Sequence, residues 1–198
     1  MTESGRRRIG VFGGTFDPLH SGHLVVADEV FARLGLDQVL FVPAGDPWQK
    51  TTSASEDDRL AMVILGLEGH PNYALSTVDL DRPGPTYTVD TLRDLRSQYS
   101  DAELYFIVGA DAYARIDSWK DSEKLTDLCE FVVVSRPSET PVALPEARPG
   151  VNWLDIPALP VSSTECRQRV REGLSLEGLV PGEVATYIVD HQLYRSAS

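Results

Sequence analysis

The sequence predicts an α/β fold, doubly wound around a mostly parallel sheet. Three observations lead there. Short apolar runs alternate with segments of helical period along almost the whole chain. Those runs, such as Val39-Leu40-Phe41-Val42 and Phe131-Val132-Val133-Val134, are apolar throughout and do not alternate, as strands buried on both faces require. The first run, Ile9 to Phe12, ends in Gly13-Gly14 and feeds a helix.

Taken in order, Leu24, Ala27, Val30, Phe31 and Leu34 recur at helical spacing, and Gly35 ends that helix. Val39 to Val42 is the next strand, stopped by Pro43, and Pro43 to Ser55 reads as a polar loop carrying Trp48 and Lys50. Ser55 to Glu68 is a helix, with Ser55 as N-cap and Asp58 as the acid at N3. Tyr73 to Val78 is a strand, Asp79 to Pro85 a charged loop, and Thr86 to Tyr99 a helix with its apolar face on Val89, Leu92 and Leu95. Leu104 to Val108 is a strand ending at Gly109-Ala110-Asp111. Tyr113 to Leu128 is broken helix, Phe131 to Val134 a strand, Ser138 to Pro149 a surface loop and Val151 to Ile156 a last strand. Two helices close the chain, near Glu165–Glu172 and Pro181–His191. No repeat or low-complexity linker divides the 198 residues. We expect one domain over 1–198, with 1–7 flexible and 165–198 its helical C-terminal part.

Composition bounds the function. A net charge of −12 with one short basic run, Arg6-Arg7-Arg8, argues against a nucleic-acid surface. No window reaches membrane-spanning length. Cys129 and Cys166 match neither zinc nor redox spacing, which points to a reducing, cytoplasmic setting. Oligomeric state is not readable from the pattern.

The chemistry begins at Gly13-Gly14-Thr15-Phe16-Asp17-Pro18-Leu19-His20-Ser21-Gly22-His23. A strand that ends in glycines and enters a helix gathers backbone N–H groups and a helix N-terminus at one point, which suits a phosphate. His20 and His23 add side-chain donors. Ser162-Ser163-Thr164-Glu165-Cys166-Arg167 opens a second helix in the same manner. Ser162 and Glu165 have capping-box spacing, while the further hydroxyls and Arg167 lie near a positive dipole end. Together the motifs suit a triphosphate held at several points. No Gly-x-x-x-x-Gly-Lys-Ser/Thr run is present, which argues against a P-loop enzyme.

The first motif resembles the GxFxPxHxGH signature of the HxGH nucleotidyltransferase superfamily. Within it the chain is similar to the bacterial nicotinate-nucleotide adenylyltransferase family, from about Gly10 to Tyr194. The resemblance implies a Rossmann-like fold and transfer of AMP from ATP to nicotinate mononucleotide, in NAD biosynthesis, with Mg²⁺ held mainly by the ATP phosphates and by no protein metal cage. It implies His20 and His23 as catalytic residues. Gly13, Gly14, Thr15, Phe16, Lys50, Ser162, Ser163, Thr164 and Arg167 would hold ATP and its phosphates. Gly109, Asp111 and Arg136 would take the ribose and nucleotide end. The segment Gly84-Pro85-Thr86-Tyr87-Thr88-Val89-Asp90-Thr91-Leu92 resembles the pyridine-nucleotide branch, with Thr86 and Tyr87 on the mononucleotide and Trp119 stacked on its ring. The family often has an aliphatic residue where Cys166 stands. Nicotinamide mononucleotide, another phosphate acceptor and a non-catalytic nucleotide sensor stay open as alternatives.

Overall fold

The computed structural model describes residues 5–48, 51–135, 150–156 and 160–195. The elements in chain order are β1 (Arg8–Gly14), α1 (Ser21–Leu34), β2 (Gln38–Pro43), β3 (Asp46–Pro47), α2 (Glu56–Leu67), β4 (Tyr73–Leu75), β5 (Pro85–Thr86), α3 (Thr88–Gln98) and β6 (Glu103–Gly109). Then follow α4 (Ala110–Tyr113), two 3₁₀ turns at Ile116–Ser118 and Ser122–Lys124, α5 (Leu125–Leu128), β7 (Glu130–Ser135), β8 (Val151–Asp155), α6 (Ser163–Arg171) and α7 (Gly182–Asp190). The Ser138–Pro149 loop expected from sequence lies outside the described residues.

Six strands form one sheet in the order β4-β2-β1-β6-β7-β8, every adjacent pair parallel. Setting aside the two-residue strands, this is the 3-2-1-4-5-6 order of dinucleotide-binding folds. The order reverses between β1 and β6, where Phe12 pairs with Ile107. Both glycine-bearing exits, at Gly14 and Gly109, therefore face one crevice.

The apolar runs are buried on both faces because helices cover both faces. Along β1 and β2, Ile9, Val11, Leu40 and Val42 enter the core under α3 and α5. Phe12, Val39 and Phe41 enter the opposite core with Val26, Ala27 and Val30 of α1. This division follows from the two-residue period of a strand. A third cluster joins Met62 of α2, Cys166 of α6 and Val184 and Ile188 of α7. Cys166 is thus a packing residue, its thiol pushed up to about 11 by burial.

Two boundaries differ from the sequence reading. The helix expected from Thr86 begins at Thr88, because Pro85–Thr86 pairs in parallel with Asp46–Pro47. That pairing holds Thr86 extended and builds a small second sheet from the loop after β2 and the segment where loop was expected to give way to helix. The strand expected to reach Val78 stops at Leu75, and its last bond to β2 runs from the Ser76 N–H to the Phe41 carbonyl at 2.9 Å. Elsewhere the caps follow the sequence: the Ser55 side chain accepts from the Asp58 N–H at 3.1 Å.

α2 crosses the turn after β1 at Gly66, where a Cβ would lie 2.0 Å from Cδ2 of Leu19. Leu19 is fully buried, so its methyl has nowhere to retreat. Gly66→Ala gains about 1 kcal/mol in helix propensity but should lose about 1–3 kcal/mol to overpacking. We expect a net loss of stability, measured as a lower urea midpoint with unchanged slope.

Candidate active site

The site is built on the turn between β1 and α1. His20, in extended conformation, is the N-cap of α1, and its carbonyl accepts from the His23 N–H at 2.9 Å. The His20 N–H in turn donates to Nδ1 of His23 at 3.2 Å. An Nδ1 that accepts leaves the proton of a neutral His23 on Nε2. The two rings stack with centroids 3.6 Å apart. His20 is the buried member, whereas the ring of His23 lines the crevice.

Other segments fix this turn. The Ala44 N–H donates to the Gly14 carbonyl at 2.9 Å. Arg59 of α2, 1% exposed, donates from Nη1 to the carbonyls of Thr15 (2.9 Å) and Ala44 (2.6 Å), and from Nη2 to that of Gly45 (3.0 Å). Asp17 is buried and accepts from the Ser53 N–H at 2.6 Å, the Ala54 N–H at 3.2 Å and the Tyr194 hydroxyl at 2.7 Å.

α6 meets the same turn. The Ser162 side chain caps the helix, accepting from the Glu165 N–H at 3.1 Å. The Ser163 hydroxyl donates to the Pro18 carbonyl at 3.0 Å. Arg167 donates from Nη1 to the Asp17 carbonyl at 2.6 Å and from Nη2 to Thr164 Oγ1 at 3.3 Å. The N-termini of α1 and α6 thereby converge, two positive dipole ends near one point.

A cavity of about 300 Å³ occupies the crevice. Gly13, Gly14, Thr15, His23 and Ser163 line one side. Phe106, Ile107 and Val108 of β6 also line it, and Gly109, Asp111 and Trp119 complete that side. A Cβ at Gly109 would meet Oδ1 of Asp111 at 2.7 Å, so a side chain there would displace the carboxylate. Trp119 is half-buried and makes an edge contact with Phe106 at 6.2 Å. Thr86 and Asp79 line the far wall.

Asp79 accepts from the Thr91 hydroxyl at 2.7 Å and from Arg82 at 2.5 Å, and Arg82 also reaches Asp94. Burial pushes the Asp79 carboxyl up, against the downward pull of Thr91 and Arg82. This network anchors the segment that ends at Thr86. The Oγ1 of Thr86 is buried and has no hydrogen-bond partner among the described residues, a cost relieved when a polar ligand group reaches it.

Of the residues singled out from sequence, Gly13, Gly14, Thr15, His23, Ser163, Thr86, Gly109, Asp111 and Trp119 line one cavity. The Phe16 ring instead packs in the core, 5.8 Å from Phe12 and 5.7 Å from Phe41. Tyr87 packs beside the cavity against Trp48, with the Lys120 ammonium over its ring. Ser162, Thr164 and Arg167 lie behind the turn, bonded to protein. Lys50 and Arg136 lie outside the described residues.

Among the lining residues that carried no assignment from sequence are Trp48, Asp79 and Arg115. Trp48 is 46% exposed, and its signal was a large aromatic in a polar loop with no apolar period to join. Arg115 follows Asp111 at i+4, the spacing of one helix face. Asp79 had no such signal.

This architecture now meets its relatives. The cytidylyltransferase-like family profile matches residues 11–169. A probable nicotinate-nucleotide adenylyltransferase of Leifsonia xyli subsp. xyli is 50% identical over 198 residues, covering 100% of this chain and 99% of the relative. The chain belongs to the nicotinate-nucleotide adenylyltransferase family. A second member of that family, from Clavibacter michiganensis subsp. michiganensis, is 52% identical over 193 residues, covering 96% of each chain. A Plasmodium falciparum nicotinic acid mononucleotide adenylyltransferase, solved in complex with NaAD, matches with a TM-score of 0.79 at 22% identity, covering 95% of this chain and 97% of that one. At that identity the match speaks for the Rossmann-like fold. As a nicotinate-nucleotide adenylyltransferase family member, the chain is a nucleotidyltransferase, and no helix among its described residues is long and apolar enough to cross a membrane.

Proposed function

We propose that this chain transfers AMP from ATP to nicotinate mononucleotide, releasing pyrophosphate and forming nicotinate adenine dinucleotide in NAD biosynthesis. The observation that carries the reading is one cavity with His23 on one side and Trp119 and the unpaired Thr86 hydroxyl elsewhere on its wall. A transferase needs both ends: donors where phosphate charge develops, and an aromatic-plus-polar seat for the acceptor.

An oxygen of the mononucleotide phosphate attacks the α-phosphorus in line. The new P–O bond forms as the bond to the β-phosphate oxygen breaks, and that electron pair leaves with pyrophosphate. No protein nucleophile is needed. The His23 ring at the cavity wall, with His20 stacked behind it, steadies the developing charge. The amides of Gly13 to Phe16 and the N-terminus of α6 with Ser163 grip the β and γ groups, Ser162, Thr164 and Arg167 hold that helix start against the turn and add charge from behind it, and Lys50 adds a cation. Gly109, Asp111 and Arg136 take the adenosine side. Trp119 stacks on the pyridine ring, and Thr86 beside Tyr87 donates to its carboxylate.

No group of three His, Cys, Asp or Glu side chains with metal-ligand spacing occurs among the described residues. Asp79 is engaged by Thr91 and Arg82, so Asp111 is the cavity carboxylate left to accept. That donor set fits Mg²⁺ carried mainly by phosphate oxygens and water, with no protein cage to hold it. When bound, Mg²⁺ neutralises phosphate charge. We read residues 1–198 as one catalytic domain in the cytoplasm, with the two C-terminal helices part of it.

Pyrophosphate release is expected only when ATP and nicotinate mononucleotide are both present, with nicotinamide mononucleotide a poorer acceptor. Release that is independent of the mononucleotide would refute the assignment. Trp119→Ala should raise KM for the mononucleotide about tenfold, one aromatic stack being worth about 1–1.5 kcal/mol, with KM for ATP little changed.

A further inference from the structure

The turn that carries His20 and His23 is tied to the opposite end of the chain. After α7 the backbone bends twice through left-handed conformations, at Gln192 (φ 52°) and Tyr194 (φ 64°). Neither residue is glycine, so each bend costs free energy that something must offset. The bends return the Tyr194 ring to Met62 of α2 and deliver its hydroxyl to Oδ1 of Asp17 at 2.7 Å. Burial, then the Asp17 charge, raises the Tyr194 pKa far above its ordinary value, so the hydroxyl stays protonated and donates.

Asp17 is where this bond takes effect. Its side chain is buried and joins three segments: the turn itself, the Ser53–Ala54 backbone ahead of α2, and the C-terminal segment. Arg167 lies 4.0 Å from the carboxylate and bonds the Asp17 carbonyl. Without the tyrosine hydroxyl, Oδ1 keeps one neutral partner, the Ala54 N–H at 3.2 Å. A buried carboxylate that loses a donor draws its remaining donors closer or moves toward them. Here the first group to follow is a turn three residues ahead of His20.

We propose that Tyr194 is a positioning residue for nucleotidyl transfer, acting through the Asp17 carboxylate to hold the turn that carries His20 and His23. The proposal rests on the adenylyltransferase reading above. It gives the turn after α7 a role in catalysis beyond closing the third core cluster. The energetic logic is that of preorganisation: a sub-ångström shift of charge-stabilising donors lowers rate steeply while leaving binding largely intact.

The test uses the full chain with Tyr194→Phe, which removes the hydroxyl alone. Tyr187→Phe is its control, removing a similar tyrosine–aspartate bond between α7 and Asp58 (3.0 Å) that does not end on the Asp17 carboxylate. In the unliganded protein, hydrogen exchange across residues 15–24 should rise in Tyr194→Phe and stay at the wild-type level in Tyr187→Phe. At a temperature where both are folded, Tyr194→Phe should lower kcat about tenfold with both KM values within about twofold. Asp17→Asn combined with Tyr194→Phe should be no slower than Asp17→Asn alone. Wild-type exchange or wild-type kcat in Tyr194→Phe, an equal kcat loss in Tyr187→Phe, or additive losses in the double variant would each overturn the proposal. A wild-type enzyme that makes no dinucleotide would overturn the functional reading and this role with it.

Discussion

His23→Ala is expected to lower kcat by about 10²–10³-fold, the loss that follows removal of one preorganised donor from a developing oxyanion. The prediction follows from the division of labour in the histidine pair. His23 lines the cavity, and its Nδ1 accepts from the His20 N–H, which fixes the ring on the turn; we assign its outer edge to the phosphate. Its removal takes away a donor used in the transition state, so kcat and kcat/KM should fall together. Stability should change little, because the exchanged ring is half-buried at the cavity wall. His20→Ala should cost turnover on a similar scale and about 1 kcal/mol of stability as well, since that ring is buried beneath His23. Steady-state rates and denaturant midpoints on both variants check this. A His23→Ala enzyme with wild-type kcat would remove the turn from the reaction.

Arg59→Met should lower stability by about 3–5 kcal/mol, the cost of removing one partner from a buried charge network. Methionine fills similar apolar volume, so a site that needed only packing would tolerate it. Arg59 instead bonds three backbone carbonyls, at Thr15, Ala44 and Gly45. Burial lowers its pKa from the ordinary arginine value while Asp17 and Glu56 raise it. The charge persists at neutral pH because guanidinium titrates so far above it. Without it those carbonyls are buried with fewer donors, and the Asp17 carboxylate loses a nearby cation. Chemical denaturation of Arg59→Met and Arg59→Lys checks this. Lysine should recover part of the loss, because it restores the charge without the planar fork.

Arg59 also shows where the sequence stops being legible. In the primary structure it is a lone arginine in an amphipathic helix, which reads as a solvated face. Nothing local says that its guanidinium will be 1% exposed, because its three acceptors come from two other loops. Asp79 was missed for the same reason: its partners Thr91 and Arg82 meet it only in the fold. The strand at β5 was missed because Pro85–Thr86 has no strand-like pattern and becomes one only by pairing with Asp46–Pro47. By contrast, α1, β2, β6 and β7 announced themselves, since their burial on both faces or one face is written as apolar period.

The sequence by itself determined the alternation of strands and helices, the location of the phosphate turn and the second hydroxyl-rich helix start. These are properties of contiguous residues: period, caps and glycines act over one turn or one strand. The tertiary structure decided which of those residues share a cavity. Parallel pairing of β1 with β6 brought Gly14 and Gly109 to one edge. Core packing turned Phe16 and His20 inward and left His23 at the surface of the cavity. Tyr194 joined Asp17 across 177 positions of chain, a contact that no local pattern can encode because its partners meet only when both ends are folded.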